Sequence, residues 1–228
     1  MIFNQDGIQA LKSAPKLKID LLLTDPPYDI SSATDGYMYD PRRPNKRFDK
    51  TMNYGEWDHG FGPAWLKDIL PLCTGWAVVF CGHHQISDYI RIMQSDGMTG
   101  VGMGVWEKNT GLPINAKHKF VNFIESFVYG KRPSSTWNSK HHRNILKTNS
   151  PLNKIHPTQK PVALFRRLIE LTTLPGDLVV DPFAGSGTTG VACEQLDRRW
   201  LLYEKDEHHY WNAWKRLKQV QAQTKLVC

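Results

Sequence analysis

Residues 178–190 read LVVDPFAGSGTTG, and this stretch decides the fold. Its apolar start predicts a short buried strand, and the glycine-rich residues that follow predict a tight turn into a helix. Glycines at three positions fit the pattern Gly-x-Gly-x-x-Gly, in which the backbone can approach a nucleotide closely. Glu204 ends the next apolar run, 19 residues after Gly185. An acid at that spacing is typical of a group that binds ribose hydroxyls.

Three features of this turn argue against a dinucleotide-binding protein. Asp181 and two bulky residues precede the first glycine, whereas a pyrophosphate turn starts almost at the end of the strand. A Gly-x-x-x-x-Gly-Lys sequence is absent, which argues against a nucleoside-triphosphate loop. About one further strand-helix unit follows the turn, so the sheet must be completed by residues upstream. We therefore expect a circularly permuted nucleotide-type fold.

A second polar turn follows the apolar run Ile19–Thr24. It reads Asp25-Pro26-Pro27-Tyr28. The two prolines lock the backbone and lack N–H groups, so the carboxylate and the turn carbonyls become fixed acceptors beside an aromatic ring. This arrangement fits a planar heterocycle with an exocyclic amino group. Parallel strands bind ligands at their carboxyl ends, so we expect the ends of strands 19–24 and 178–181 to open onto one crevice.

Strands alternate with helices along the rest of the chain, which favours an α/β fold with a mainly parallel sheet and helices on both faces. Strands are predicted at residues 19–24, 76–81, 102–107, 122–129, 178–181 and 200–204. Helices are predicted at residues 63–70, 85–95 and 162–173, from the glycine turn to about 195, and at 209–223. Residues 31–57 are predicted to be a loop, and residues 131–160 show no sustained periodicity.

Length and composition predict one soluble domain over residues 1–228. Hydrophobic residues make up 40% and charged residues 22% of the chain. We expect no membrane span and no signal peptide. The four cysteines are scattered without a Cys-x-x-Cys pair, which favours a reducing cytoplasm.

The net charge of +7 is concentrated in one segment. Residues 126–169 contain no Asp or Glu but nine Lys and Arg, so the remainder of the chain carries −2. Such a stretch predicts a surface that faces a polyanion. The candidate nucleic-acid contacts, including two from the basic cluster in loop 31–57, are Arg42, Arg43, Lys131, Arg132, Trp137, Lys140, Arg143 and Lys147.

Taken together, these segments resemble the β class of S-adenosylmethionine-dependent DNA amino-methyltransferases. The resemblance rests on Asp25-Pro26-Pro27-Tyr28, on residues 156–161 (HPTQKP), on the glycine turn and on Glu204 with its following helix, in that order along the chain. It implies a Rossmann-like methyltransferase fold that is circularly permuted. It also implies methyl transfer from S-adenosylmethionine to an exocyclic amine of a base flipped out of double-stranded DNA, with target recognition by residues 131–155 and, as an alternative or addition, 31–57.

The resemblance assigns roles residue by residue. The catalytic residues are Asp25, Pro26, Pro27 and Tyr28. The residues expected to bind the cofactor are Asp6, Lys160, Asp181, Phe183, Gly185, Ser186, Gly187, Thr188 and Glu204. The leading aspartate favours N6 of adenine, and N4 of cytosine is the alternative. A bacterial or phage-encoded enzyme of the cytoplasm is implied, as part of a restriction-modification system or alone, and as a monomer or a homodimer.

Two other classes of function each explain a single feature of the sequence. A nicotinamide-dependent oxidoreductase would explain only the glycine turn, and a non-catalytic nucleic-acid-binding module would explain only the charge. Nine histidines include the adjacent pairs 83–84, 141–142 and 208–209. Adjacent residues do not face one ligand position, so no metal is expected.

Overall fold

The computed structural model describes residues 1–28, 61–109, 120–140, 142–151, 156 and 158–225. Loop 31–57, with Arg42 and Arg43, therefore lies outside the described residues. The strands are β1 (Ile2–Asn4), β2 (Ile19–Thr24), β3 (Cys73–Cys81), β4 (Thr99–Lys108), β5 (Ile124–Lys131), β6 (Ile145–Thr148), β7 (Leu178–Asp181) and β8 (Arg199–Glu204). The α-helices are α1 (Gly7–Lys12), α2 (Leu66–Ile69), α3 (Ile86–Ser95), α4 (Val162–Thr172), α5 (Thr188–Glu194) and α6 (Glu207–Lys225).

The strands form one eight-stranded sheet in the order β1-β8-β7-β2-β3-β5-β4-β6. Pairing is antiparallel where β5 meets β3 and β4, and parallel at the other five pairs. Strands β7 and β8, from the end of the chain, lie between β1 and β2 from its beginning. This order confirms the expected permutation, because the glycine-turn strand pairs directly with the strand that precedes Asp25.

Strand β2 is buried from both sides because helices cover both faces of the sheet. Leu22 faces a cluster that contains Leu11 of α1 and Tyr89 of α3. Leu21 and Leu23 face the opposite cluster with Phe165 and Leu168 of α4. All three leucines of β2 are fully buried, so the carboxyl end of this strand is fixed by packing on two sides.

Three elements differ from the sequence-based expectation. The helix predicted at 63–70 is instead a succession of short turns, 3-10 at Pro63–Trp65 and Leu70–Leu72 with α2 between them. Pro71 cannot donate a helical hydrogen bond, so a regular helix ends there. Strand β6 was not predicted, since its four residues lie in a polar, basic segment and add only an edge to the sheet. Helix α1 was also missed.

None of the described helices is both long and apolar enough to cross a membrane.

Candidate active site

The two polar turns are joined by a direct hydrogen bond. Thr24, the residue before Asp25, donates its hydroxyl to Oδ1 of Asp181 at 2.6 Å. Thr189 of α5 donates to Oδ2 of the same carboxyl at 2.5 Å, and the Phe183 amide donates to Oδ1 at 3.0 Å. The carboxyl of Asp181 therefore ties the end of β2 to the glycine turn and to the helix behind it.

Asp181 is 2% exposed, and these three donors use both of its oxygens. Burial raises its pKa to about 6, although the Thr189 and Thr24 hydroxyls oppose the shift. The cofactor contact expected of Asp181 stays a prediction. Its side chain faces the protein interior and organises the turn from beneath.

The glycine turn depends on left-handed backbone conformations at two positions. Gly185 has φ of 50° and Gly187 has φ of 73°, a region that favours glycine. Arg216 of α6 holds the turn from behind, with its guanidinium donating to the Ser186 carbonyl at 3.0 Å and to the Thr188 hydroxyl at 3.2 Å. Ser186 and Thr188 are 5% and 4% exposed, and their hydroxyls support the turn from inside. The cofactor contact expected of these two residues stays a prediction.

Glu204 lies at the carboxyl end of β8, beside the glycine turn. Its Oε2 accepts the Gly185 amide at 2.8 Å and its Oε1 accepts the Asp206 amide at 2.9 Å. Burial raises the pKa of Glu204, with the two amides opposing the shift. Each carboxylate oxygen has a second lone pair, so Glu204 can still accept hydrogen bonds from a ligand.

Asp6 follows β1, whose last residue Asn4 pairs with Glu204, and it caps the N-terminus of α1. Its Oδ1 accepts the amides of Ile8 at 3.0 Å and Gln9 at 3.1 Å. Gly7 follows, and a Cβ there would lie 2.4 Å from the Pro182 carbonyl oxygen. The first turn of α1 therefore packs directly on the Asp181-Pro182-Phe183 segment, which brings Asp6 to the cofactor side of the sheet.

Aromatic side chains pack beside this segment. The Phe183 ring meets the rings of Phe61 and Trp65 edge-on, at centroid distances of 5.3 and 5.1 Å. Trp65 in turn donates its indole N–H to the Tyr89 hydroxyl at 3.2 Å. Phe183 is therefore held in one orientation at the edge of the crevice.

Asp25 lies at the centre of a buried cluster of charged groups. Its Oδ1 accepts the Tyr28 hydroxyl at 2.6 Å, and its Oδ2 accepts the Lys160 ammonium at 2.5 Å. Lys160 is also 3.0 Å from Oε2 of Glu125, and Lys108 is 3.2 Å from Oε1 of Glu125. Two carboxylates and two ammonium groups thus form one continuous chain.

Opposing effects set the protonation of this cluster. Burial raises the pKa of Asp25 against the pull of Lys160, and burial also raises the pKa of Tyr28 well above its usual value. Burial works to lower the pKa of Lys160, but Asp25 and Glu125 outweigh it and hold that pKa above its usual value. Burial works to raise the pKa of Glu125, but Lys160 and Lys108 outweigh it and hold that pKa low.

Lys160 has protein partners that the sequence did not predict. Its ammonium lies between Asp25 and Glu125, and the residue is 4% exposed. The cofactor contact expected of Lys160 stays a prediction. Glu125 and Lys108 were missed. The available signal was Glu125 itself, the one acid in strand β5. The register of β3 with β5 pairs Cys81 with Ser126, so Glu125 reaches the sheet edge where Asp25 stands.

A pair of histidines stands against the glycine turn. The rings of His156 and His209 have centroids 4.2 Å apart, and a Cβ on Gly185 would lie 3.7 Å from the His156 ring. Burial lowers the pKa of His156 to about 4, with His209 and Lys160 adding to the effect. His156 is therefore neutral near pH 7. Within the described residues, His, Cys, Asp and Glu form no group of three or more that could hold a metal ion.

The candidate DNA contacts differ in their surroundings. The guanidinium of Arg132 donates to the carbonyls of Cys73, Asp96 and Leu70 and to the Asp96 carboxylate at 2.5 Å. Arg132 is therefore a structural residue, and the expected DNA contact is corrected. Its sequence neighbours contain no acid, but Asp96 arrives from the end of α3.

The remaining described candidates lie closer to solvent. Trp137 is 42% exposed and its ring packs against Trp76 at a centroid distance of 5.3 Å. Lys131 lies over the same Trp76 ring at 5.5 Å. Lys147 pairs with Glu107 at 2.9 Å on the surface, while Lys140 and Arg143 are exposed.

The arrangement offers two binding surfaces at one edge of the sheet. The glycine turn, Glu204 and Phe183 offer an open backbone turn, a carboxylate acceptor and an aromatic edge, which suit a nucleoside-containing ligand. The Asp25 turn offers acceptors for an amino group. The Thr24–Asp181 bond fixes the distance between the two halves.

Comparison with known proteins places these features in a family. Residues 19–215 match the family model described as DNA methylase. The chain is 29% identical to the type II methyltransferase M.HpaI of Haemophilus parainfluenzae, covering 93% of this chain and 72% of that protein. It is 28% identical to the type II methyltransferase M.HinfI of Haemophilus influenzae, covering 96% and 68%.

A solved structure shows the same architecture. The M1.HpyAVI–SAM complex superposes with a TM-score of 0.73 at 28% identity, covering 95% of this chain and 99% of that one. The family match covers most of the chain and includes both polar turns. The chain belongs to the DNA methylase family of N6 and N4 amino-methyltransferases.

Proposed function

We propose that this DNA methyltransferase transfers the methyl group of S-adenosylmethionine to the exocyclic N6 of an adenine flipped out of double-stranded DNA, at a specific site. One observation carries the proposal. The carboxylate that follows β2 and the glycine turn that follows β7 lie at the same edge of adjacent parallel strands and are joined by the Thr24–Asp181 hydrogen bond. An amino group bound by the carboxylate of Asp25 would therefore lie next to a methyl donor bound at the glycine turn.

The residues around the glycine turn fit the cofactor. Gly185 and Gly187 carry no side chains that would block a ligand at the turn. Glu204 has lone pairs for the ribose hydroxyls of the cofactor. Asp6 and Phe183 are proposed to flank the adenine ring of the cofactor. A solved relative carries S-adenosylmethionine in the same fold, which supports this choice of ligand. When bound, the cofactor supplies an electrophilic methyl group on a positively charged sulfur, whose C–S electron pair stays on sulfur as the methyl leaves.

Asp25 activates the amine. The lone pair of an aromatic amine is conjugated with the ring and is therefore a poor nucleophile. Asp25 and the carbonyl of Pro26 or Pro27 accept its two N–H hydrogen bonds, which favours a pyramidal nitrogen with a free lone pair. That nitrogen forms the new C–N bond in line with the leaving sulfur and becomes positively charged. It then gives one proton to Asp25, from which water removes it.

Positioning supplies most of the rate in this mechanism. Orientation of two reactants can contribute about 7–11 kcal/mol to lowering a barrier. Tyr28 stacks on the flipped base, and such stacking contributes about 1–3 kcal/mol per base. The Tyr28 hydroxyl bonded to Asp25 fixes the angle between the stacking ring and the carboxylate.

Adenine is favoured over cytosine because the tetrapeptide starts with aspartate, whereas cytosine-N4 members of the resembling class more often carry serine there. Lys131, Trp137, Lys140, Arg143 and Lys147 are the described residues proposed to contact DNA. The segment 131–155 would carry target recognition within a single domain. With chromosomal or phage DNA as substrate, we place the enzyme in the bacterial cytoplasm, as a monomer or a homodimer.

The substitution Asp25→Ala tests this function. The variant should bind S-adenosylmethionine with wild-type affinity, because Asp25 faces the amine, and it should transfer no methyl group to duplex DNA. Calorimetry measures the first property and transfer of labelled methyl groups measures the second. A variant that methylates DNA at a rate near the wild-type value would contradict the mechanism.

A further inference from the structure

Lys160 has two carboxylate partners, although one would neutralise it. Its ammonium lies 2.5 Å from Asp25 and 3.0 Å from Glu125, and its side chain is 4% exposed. Glu125 is bound in turn by Lys108 at 3.2 Å, where both side chains are about one fifth exposed. The rings of Tyr28 and Phe80 face the ammonium at 5.2 and 5.4 Å. Lys160 is thus confined to a slot between two acids.

A lone Lys160–Asp25 pair would work against the reaction. Asp25 must accept a hydrogen bond from the substrate amine, and a buried ammonium with no other partner would hold the same carboxylate strongly. Moving that ammonium away would leave a charge unpaired in the protein interior, which is expensive. A second carboxylate removes this cost because the ammonium stays paired as Asp25 turns to the substrate.

We propose that Glu125 is a positioning residue for methyl transfer: it retains Lys160 while the Oδ2 oxygen of Asp25 is given over to the substrate amine. This inference rests on the proposed function. Lys108 completes the arrangement by balancing the charge of Glu125, so the chain Asp25–Lys160–Glu125–Lys108 stays neutral as a whole. In this arrangement Glu125 acts on the reaction through Lys160.

The charge chain also predicts how ionisation changes when a member is removed. Without Lys160, Asp25 and Glu125 would be two carboxylates around the Tyr28 hydroxyl, which is 2.6 Å from one and 3.5 Å from the other. Carboxylates in such proximity do not both ionise readily, and one of them keeps a proton to higher pH. The other groups that face Asp25 are Cys81 from β3 and Asp181 from β7. A nearby charged Asp181 adds to the effect.

Three variants and one control test the inference through the pH dependence of the single-turnover rate. Lys160→Met should move the acidic limb of the rate–pH profile, where the rate falls as the pH is lowered, at least one pH unit toward higher pH. Glu125→Gln should lower the plateau rate about tenfold and move that limb toward lower pH. The double variant should return the limb toward the wild-type position. Asp88→Asn removes a surface carboxylate paired with Arg91 in α3, away from the proposed site, and should change neither the plateau nor the limb.

Two readouts without turnover separate this inference from the proposed function. Carbon-13 NMR of labelled carboxyl groups should show one Asp or Glu carboxyl titrating at higher pH in Lys160→Met, whether or not DNA is methylated. Calorimetry should give Glu125→Gln the wild-type affinity for S-adenosylmethionine. An active wild-type enzyme with a Glu125→Gln variant of unchanged plateau and limb would overturn the inference, as would an unshifted carboxyl titration in Lys160→Met. A wild-type protein that methylates no DNA would overturn the proposed function and with it a role of Glu125 in methyl transfer, whereas the carboxyl titration would still report on the coupling of Lys160 to the two acids.

Discussion

Replacing Asp181 by Asn should remove a defined part of the pH dependence of stability. The pKa of this carboxyl is raised from 3.8 to about 6 in the folded protein. The native state therefore holds the proton more tightly than the unfolded chain does, and the resulting stability is complete below pH 3.8. It is lost as the pH rises through about 6.

The magnitude follows from the shift of about two units. At about 1.4 kcal/mol per unit, the free energy of unfolding of the wild type should fall by roughly 3 kcal/mol relative to Asp181→Asn across this window. Urea unfolding at a series of pH values from 4 to 8 measures the difference. An Asn side chain preserves the shape, with its oxygen accepting from Thr24 and Phe183 and its amide donating to Thr189.

A second substitution should increase the pH dependence of stability, where Asp181→Asn removes it. Thr24→Val keeps the carboxyl but removes one donor to its ionised form, so the pKa of Asp181 should rise further and the loss of stability with pH should become larger. A difference between wild type and Asp181→Asn that is constant from pH 4 to 8 would refute the account of Asp181 as a buried carboxyl that joins β2 to β7.

Four further substitutions address the cofactor side, the packing of α1 and the DNA side. Glu204→Ala should weaken binding of S-adenosylmethionine about 10- to 100-fold in calorimetry, as expected for loss of hydrogen bonds to a charged group, and unchanged affinity would exclude the ribose role. Gly7→Ala should destabilise the protein by about 1–3 kcal/mol in urea unfolding, because its Cβ would lie 2.4 Å from the Pro182 carbonyl oxygen; full stability would contradict that packing. Arg132→Ala should lower the melting temperature without changing the salt dependence of DNA binding, whereas Arg143→Ala should leave melting unchanged and reduce the salt slope by about one. The reverse pattern would restore Arg132 as a DNA contact.

The sequence predicted the central part of the sheet because its strands are apolar runs bounded by turn residues. Ile19–Thr24 and Leu178–Asp181 have the predicted bounds. The rule that parallel strands bind ligands at their carboxyl ends predicted that both would end at one edge of the sheet, and the structure adds that they are direct neighbours. Strand β6 could not be predicted in the same way. Strand β6 joins the sheet through its pairing with β4, and its own sequence has no hydrophobic period that would predict a strand.

The site was predicted less completely than the fold, since partners distant in sequence decide what a side chain does. Lys160 was assigned to the cofactor from its place in the motif at residues 156–161, yet two acids reach it from the end of β2 and from β5. Arg132 also belongs to the segment 126–169, which contains no acid, and is held by Asp96 and by backbone carbonyls. A segment without acids in sequence is therefore not without acids in space.

The measurement closest to the central claim follows a labelled methyl group into DNA. Duplex DNA is incubated with the enzyme and methyl-labelled S-adenosylmethionine, digested to nucleosides and analysed by mass spectrometry, with Asp25→Ala in parallel. The account predicts labelled N6-methyl-2′-deoxyadenosine from the wild type and none from the variant. Label found only in N4-methyl-2′-deoxycytidine would contradict the choice of base, and equal label from both proteins would contradict the role of Asp25.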